Sequence, residues 1–161
     1  KFIDMPFLPI HITTKSINLV FNIINNTSKK INIKRSRTLD TSKKIKGIKN
    51  PNLSLIQDDK FCFITYHTNT KTFYSDITIN DYYKSKILLN MSGYLNPIYI
   101  KEPCNVTESK FYILVNNDLE AELILKIFNN SNIKEYLKLC KYSGFNSQKV
   151  LNFLSVKDLY N

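Results

Sequence analysis

Glycine is almost missing from this 161-residue chain, which holds only Gly47, Gly93 and Gly144, all isolated from one another. Their isolation excludes a GxGxxG turn and a P-loop. With those turns goes the usual α/β cradle for a nucleotide or S-adenosylmethionine. Cysteine is scarce as well: Cys62, Cys104 and Cys140 are odd in number and lack paired spacing. That argues against a disulfide framework or a zinc site and fits a reducing interior. The two histidines, His11 and His67, have no second ligand at metal spacing, and nothing local pairs either with a nucleophilic cysteine. No apolar run approaches the roughly 20 residues needed to cross a bilayer, and the N-terminus has no signal-peptide pattern. The expected compartment is therefore the cytoplasm, of a prokaryotic cell or of a cell expressing a viral gene. The chain opens on Lys1, as a processed product or a piece of a longer polypeptide would.

Arginine is the rarest cation, and its placement is the most informative feature present. Of 23 basic residues only Arg35 and Arg37 are arginine, although abundant Lys, Asn and Ile point to AT-rich coding DNA that works against arginine. Both lie in a basic stretch with Lys29, Lys30, Lys34, Lys43, Lys44, Lys46 and Lys49, opposed by the single acid Asp40. That stretch supplies a surplus of eight charges out of the chain's net +10. Concentrated positive charge releases counterions from a polyanion, so double-stranded DNA is the first partner expected. Arginine can fork two donors onto guanine, which lysine does less specifically. If Arg35-Ser36-Arg37 is extended, period two sends both arginines to the same side. The competing reading is a solvated loop with no partner.

The length suits one domain, 1–161, with a basic and flexible segment at 27–50. Residues 1–12, broken by Pro6 and Pro9, read as extended. From Thr14, the positions Ile17, Val20, Phe21 and Ile24 form one face of a short helix. Phe61 to Tyr66 alternates as a strand, Thr68-Asn69-Thr70 turns, and Thr72 to Tyr74 returns. Further strands are expected at Lys86–Leu89, Tyr99–Lys101 and Phe111–Val115. Then the period changes. Asn117 with Glu120 makes a capping box ahead of Leu119, Leu123, Ile124, Ile127 and Phe128. Ser131 is expected to cap a second helix through Ile133, Tyr136, Leu137 and Cys140, with Gly144 as its C-cap. Val150, Leu151 and Leu154 give a last short helix. The expected class is α+β: a mixed, mainly antiparallel sheet, two to three C-terminal helices and a basic loop.

Three other motifs stand beside the basic stretch. Asn96-Pro97-Ile98-Tyr99 reads as a turn leading into a strand. Glu108-Ser109-Lys110 has the E-x-K form of metal-dependent nucleases, with Asp76 or Asp81 as the second acid. Tyr82, Tyr83, Tyr94 and Tyr142 are candidates to stack on bases, against the simpler role of core packing.

Between Tyr83 and Leu154 the order of motifs resembles a known family. Lys86-Ile87-Leu88-Leu89 precedes Ser92-Gly93 and Asn96-Pro97-Ile98-Tyr99. Then come Val106-Thr107-Glu108-Ser109-Lys110-Phe111-Tyr112-Ile113-Leu114-Val115-Asn116, two helices, and Cys140-Lys141-Tyr142-Ser143-Gly144-Phe145-Asn146 ahead of Val150-Leu151. This is similar to the C-terminal target-recognition region of type II adenine-N6 DNA methyltransferases, including those of restriction–modification systems. It covers about half of the chain, and the match lies in order and spacing rather than in one diagnostic motif. The resemblance implies sequence-specific recognition of double-stranded DNA without catalysis. The catalytic half and its S-adenosylmethionine would then belong to another domain or subunit, with no cofactor in this chain. It adds Lys141 and Ser143 to the expected DNA-binding residues. The family usually has glycine where Cys104 and Asn105 stand, so the chain departs from the family pattern at that turn. Two alternatives remain open, a metal-dependent endonuclease using Glu108 and Lys110, and a protein-interaction module built on the helices after Asn117.

Overall fold

The structure, a computed structural model, describes residues 5–42, 44–45 and 48–156. Residues 5–12 form neither helix nor strand, and they are tied down at both ends. Ile10 N donates to Leu139 O at 2.7 Å, and Lys149 Nζ donates to Pro6 O at 3.2 Å. Helix α1 (Thr14–Asn25) follows. Its Asn and β-branched residues are weak helix formers, so its end and its buried face must hold it. Thr13 Oγ1 accepts from Ser16 N at 3.1 Å, while Ser16 Oγ accepts from Thr13 N at 2.9 Å, a reciprocal cap with serine in the usual glutamate position. Val20 and Ile23 are buried, with Leu19 and Ile24 beside them.

Next come β1 (Lys34–Arg35), β2 (Lys44–Ile45), β3 (Ile48–Lys49), β4 (Leu53–Ser54), β5 (Phe63–Tyr66) and β6 (Thr72–Ser75). Then follow β7 (Lys86–Asn90), β8 (Ile98–Ile100), β9 (Asn105–Val106) and β10 (Lys110–Leu114). Helices α2 (Asp118–Asn129), α3 (Ser131–Leu139) and α4 (Gln148–Leu151) end the described part. The central sheet has the order β1-β10-β7-β8 and is antiparallel throughout. A second sheet has the order β4-β6-β5-β9, with β5 and β9 parallel; β2 and β3 pair only with each other. The fold is α+β.

β7 and β10 are apolar almost continuously because both faces of the central sheet are covered. Ile87, Leu89, Phe111 and Ile113 face the helices, joining Val20, Ile124, Ile127, Tyr136 and Leu154 in the main core. Leu88 and Tyr112 face the other way, toward Leu39, Ile79 and Val106 beneath the second sheet. The order of layers is helices, central sheet, second sheet.

Two expected caps are corrected. Asn130, not Ser131, caps α3: its Oδ1 accepts from Asn132 N at 2.8 Å and Ile133 N at 3.3 Å. Asparagine can do this while its backbone stays extended (φ −63°, ψ 134°), which leaves Ser131 as the first helical residue. Gly144 does not end α3, which stops at Leu139 with Cys140 as its cap. Gly144 instead lies in a loop that pairs with the turn after β7, where Gly93 N donates to Gly144 O at 3.0 Å. The basic segment is not simply a loop, since Lys34 and Arg35 enter the central sheet and Lys44–Ile45 pairs with Ile48–Lys49. Among the described residues, no helix is long and apolar enough to cross a membrane.

Candidate nucleic-acid interface

Strand order decides which basic residues can act together. β1 lies at the edge of the central sheet, with Lys34 opposite Tyr112 and Arg35 opposite Phe111. Alternation sends the two side chains to opposite faces. Lys34 Nζ reaches Asp81 Oδ2 at 2.6 Å and sits 5.9 Å from the Tyr112 ring centre. Asp81 also accepts from Lys84 at 3.0 Å and from the Tyr112 hydroxyl at 3.1 Å. Burial pushes the Asp81 carboxyl up, yet the bonds from Lys34, Lys84 and Tyr112 outweigh it and hold the group below its ordinary value. Tyr112 is pushed up to about 12, by burial first and by Asp81 second. Lys34 is thus part of a buried polar cluster.

Lys30 is committed too. Its Nζ donates to Ile23 O at 3.1 Å and Phe153 O at 2.8 Å, joining the end of α1 to the C-terminal segment. Lys29 is exposed and lines a shallow groove with Asn116 and Glu120. The structure therefore places Lys29 and Lys30 toward the far end of β1, away from the two arginines. Lys43 and Lys46, as well as Gly47, lie outside the described residues.

The near end of the sheet gathers residues from distant parts of the chain. Arg35 Nε donates to Glu108 O at 3.2 Å, across the start of β10. β1 ends at Arg35, so the period-two argument does not run on as strand to Arg37, which is exposed while Arg35 is half-buried. Next to β10, the end of β7 turns through Met91-Ser92-Gly93, with Met91 N donating to Ser109 O at 3.0 Å. The loop after α3 docks on that turn. Ser92 bridges to Phe145, Asn146 N donates to Met91 O at 2.7 Å, and Lys141 Nζ donates to Gly93 O. Lys141 and Ser143, 92 and 94 residues beyond Lys49, thereby come to the same end of the sheet as Arg35.

The second sheet adds a groove. Its β5–β6 turn is closed by Thr68 N donating to Lys71 O at 3.0 Å, and it touches the central sheet through Lys110 Nζ, which donates to Asn69 Oδ1 at 3.1 Å and to Asn90 Oδ1. His67 Nδ1 lies 2.8 Å from Thr107 Oγ1, and its ring stands edge-on to Phe73. Burial lowers His67 below its ordinary value; Lys71 and Lys110 add to this and Glu108 opposes it. An ordinary value near 6.5 already leaves histidine mostly neutral at pH 7, and the shift makes it more so. A groove of about 490 Å³ runs between this turn and the basic hairpin, lined by Thr41, Lys49, His67, Lys71 and Phe73, with exposed Leu55 and Ile56 at its lip. Lys44 stands directly opposite Lys49 across the hairpin, and both are exposed. Like charges in that position repel, and an anion would relieve them.

Comparison of the chain with protein-family models, curated proteins and solved structures returns no match.

The other motifs resolve as follows. The Glu108 carboxylate accepts from Thr41 N at 2.8 Å and Thr41 Oγ1 at 2.5 Å, so it organises the basic segment. Lys110 is buried, and burial lowers its pKa. Asp81 is held in its own cluster, and Asp76 lies 3.8 Å from Lys60. Among the described residues, no three His, Cys, Asp or Glu side chains converge on one point. Asn96-Pro97 is a turn into β8, with Asn96 at a left-handed φ of 44°. Cys104 and Asn105 are fully buried, and Asn105 Oδ1 accepts from Ile79 N at 2.9 Å while its Nδ2 donates to Ile77 O at 2.9 Å. The backbone there belongs to β9, at the edge of the second sheet. Tyr82 packs against Phe63, whereas Tyr83, Tyr94 and Tyr142 are exposed. Thr41, His67 and Lys71 are the site residues that sequence reasoning missed. The turn at 68–70 is the one local signal for His67 and Lys71, and Thr41 has none.

Proposed function

We propose that this chain is a recognition domain for double-stranded DNA, of the kind carried by adenine-N6 methyltransferases and restriction–modification proteins. Catalysis and S-adenosylmethionine are supplied by another domain or subunit. One observation carries the reading. Strand order and the docking of the loop after α3 bring Arg35, Lys141 and Ser143 to one end of the central sheet, with Arg37 just past β1, beside a groove lined by Lys49 and Lys71. Residues so scattered in sequence converge there only through the fold, and cations converging on an exposed edge suit a polyanion. The order of motifs from Lys86 to Leu151 supports the same assignment.

The division of labour follows from exposure. Arg37, exposed beyond the end of β1, is the reader of base edges, and Arg35 holds the Glu108 turn in place through its Nε. The lysines of the hairpin and of the β5–β6 turn contact phosphates, which set register without carrying sequence information. Selection of bound duplexes from a randomised pool, followed by fluorescence anisotropy, tests this. A consensus should emerge, and Arg37→Ala should cost about 1–3 kcal/mol at one base position. Equal losses on selected and random duplexes would refute direct readout by Arg37.

A further inference from the structure

A second concavity lies on the helical side of the β7–β8 turn, and its lining is chemically unlike the groove just described. Its volume is about 450 Å³, within the range of small-molecule sites. Leu95 and Pro97 of the turn, Phe128 of α2 and Leu137 of α3 form an apolar floor. Lys134 and Lys138 stand along one side of α3 at a spacing of four, and Lys141 follows just past the helix end. No acid lines the concavity, and among the described residues neither Lys134 nor Lys138 is paired with one. The Tyr94 ring, 93% exposed, stands at the rim.

The wall is preformed. Asn90 N donates to Leu95 O at 2.7 Å, and Asn90 Nδ2 donates to Tyr94 O at 2.9 Å. Asn146 Nδ2 donates to Gly93 O at 3.3 Å, and Lys141 Nζ donates to the same carbonyl. These bonds hold the turn in a conformation that needs positive φ at both Gly93 (66°) and Asn96 (44°). Little ordering cost is then left for a ligand to meet.

An occupant that satisfies all of this has a flat apolar body for the floor and the Tyr94 ring, and a negative end for the lysines. A bare inorganic anion would leave the apolar floor unused. An acidic peptide would need a groove longer than this single cavity. We propose that the concavity is a binding site for one nucleoside 5′-phosphate unit. Its base lies against Phe128, Leu95 and the Tyr94 ring, and its phosphate sits between Lys134 and Lys138. The unit is either a free nucleotide or an unpaired nucleotide at a strand end. Of the residues assigned to the duplex only Lys141 borders this site; Arg35, Arg37, Lys44 and Lys49 do not line it, and the phosphate is placed on Lys134 and Lys138.

The test is a calorimetric titration of the full chain with adenosine 5′-monophosphate, compared with adenosine and with inorganic phosphate. The monophosphate should bind more tightly than either. Tyr94→Ala should weaken it about tenfold, inside the range for loss of one base–aromatic stack. The double variant Lys134→Ala/Lys138→Ala should weaken the monophosphate and leave adenosine unchanged. Both variants alter exposed side chains, and circular dichroism checks that they fold. Equal affinity for phosphate and monophosphate, or full competition by a short polyglutamate peptide, would overturn the proposal; so would unchanged affinity in both variants. A 5′-phosphorylated single-stranded trinucleotide separates the sources: tighter binding than the monophosphate identifies a strand end, and weaker binding identifies a free nucleotide. Arg37→Ala should leave monophosphate affinity intact, so failure of the duplex reading and failure of this one remain distinguishable.

Discussion

Asp81 and Lys86 show what single residues contribute beneath the proposed interface. Asp81, 7% exposed, accepts bonds from Lys34, Lys84 and Tyr112, and its carboxyl is held below its ordinary value. A carboxyl with a depressed folded pKa gives stability that is present above its unfolded value, about 3.9, and is lost as pH falls through the folded value. Asp81→Asn should therefore destabilise by about 1–3 kcal/mol at neutral pH, the cost of leaving bonded partners unsatisfied, with the gap closing at acid pH. Urea denaturation at pH 7 and pH 3 reads this directly. Lys86 is the opposite case. It is fully buried, with Nζ donating to Tyr82 O at 3.1 Å and Cys104 O at 3.0 Å, and burial lowers its pKa despite the opposing Cys104. Between the folded value and about 10.4 the unfolded chain holds the proton more tightly, so stability rises with pH in that window. Relative to Lys86→Met, the native chain should gain stability from pH 7 to pH 10. A constant difference between the two would show that Lys86 keeps its proton in the fold.

Elements with their own local signal were legible in the sequence, and elements made by distant partners were not. α2 shows the first case. Asn117 Oδ1 accepts from Glu120 N at 2.9 Å, as the spacing predicts. The reciprocal arm is displaced, with Glu120 Oε2 accepting from Asn116 N at 2.7 Å and Asn116 Nδ2 at 2.9 Å. Asn117→Ala should cost about 1 kcal/mol of thermal stability, the ordinary value of an N-cap, and Asn117→Ser should restore most of it. β1, β4 and β9 are two residues long and carry no period. They exist because Phe111–Tyr112, Tyr74–Ser75 and Thr65–Tyr66 offer them backbone partners. The candidate site follows the same rule. Lys141 and Ser143 follow from the resemblance alone, and their loop comes to the Arg35 end of the sheet by docking on the Met91–Gly93 turn, contacts that no local pattern encodes.

At the scale of the whole molecule, the basic stretch from Lys29 to Lys49 is one patch in sequence, and its described residues form two in space. Lys30 and Lys34 are bound inward, Lys29 faces the Glu120 end of the sheet, and Arg37, Lys44 and Lys49 face the other end. A net charge of +10 alone would give weak DNA affinity wherever the charge lay, so affinity by itself cannot distinguish a solvated basic loop from an interface. Salt dependence can. Each phosphate neutralised releases condensed counterions and steepens the slope of log K against log salt by about 0.9. Removing a lysine that touches phosphate should flatten the slope by about one while weakening all sequences alike. Lys49→Ala and Lys71→Ala should each do so, although Lys71 lies outside the basic stretch. Lys29→Ala, inside that stretch and carrying the same charge, should leave the slope where it was. Binding measured from about 50 to 200 mM salt resolves these differences. If Lys29 and Lys71 change the slope equally, the charge acts as a diffuse cloud and the interface at the end of the sheet is not the binding surface.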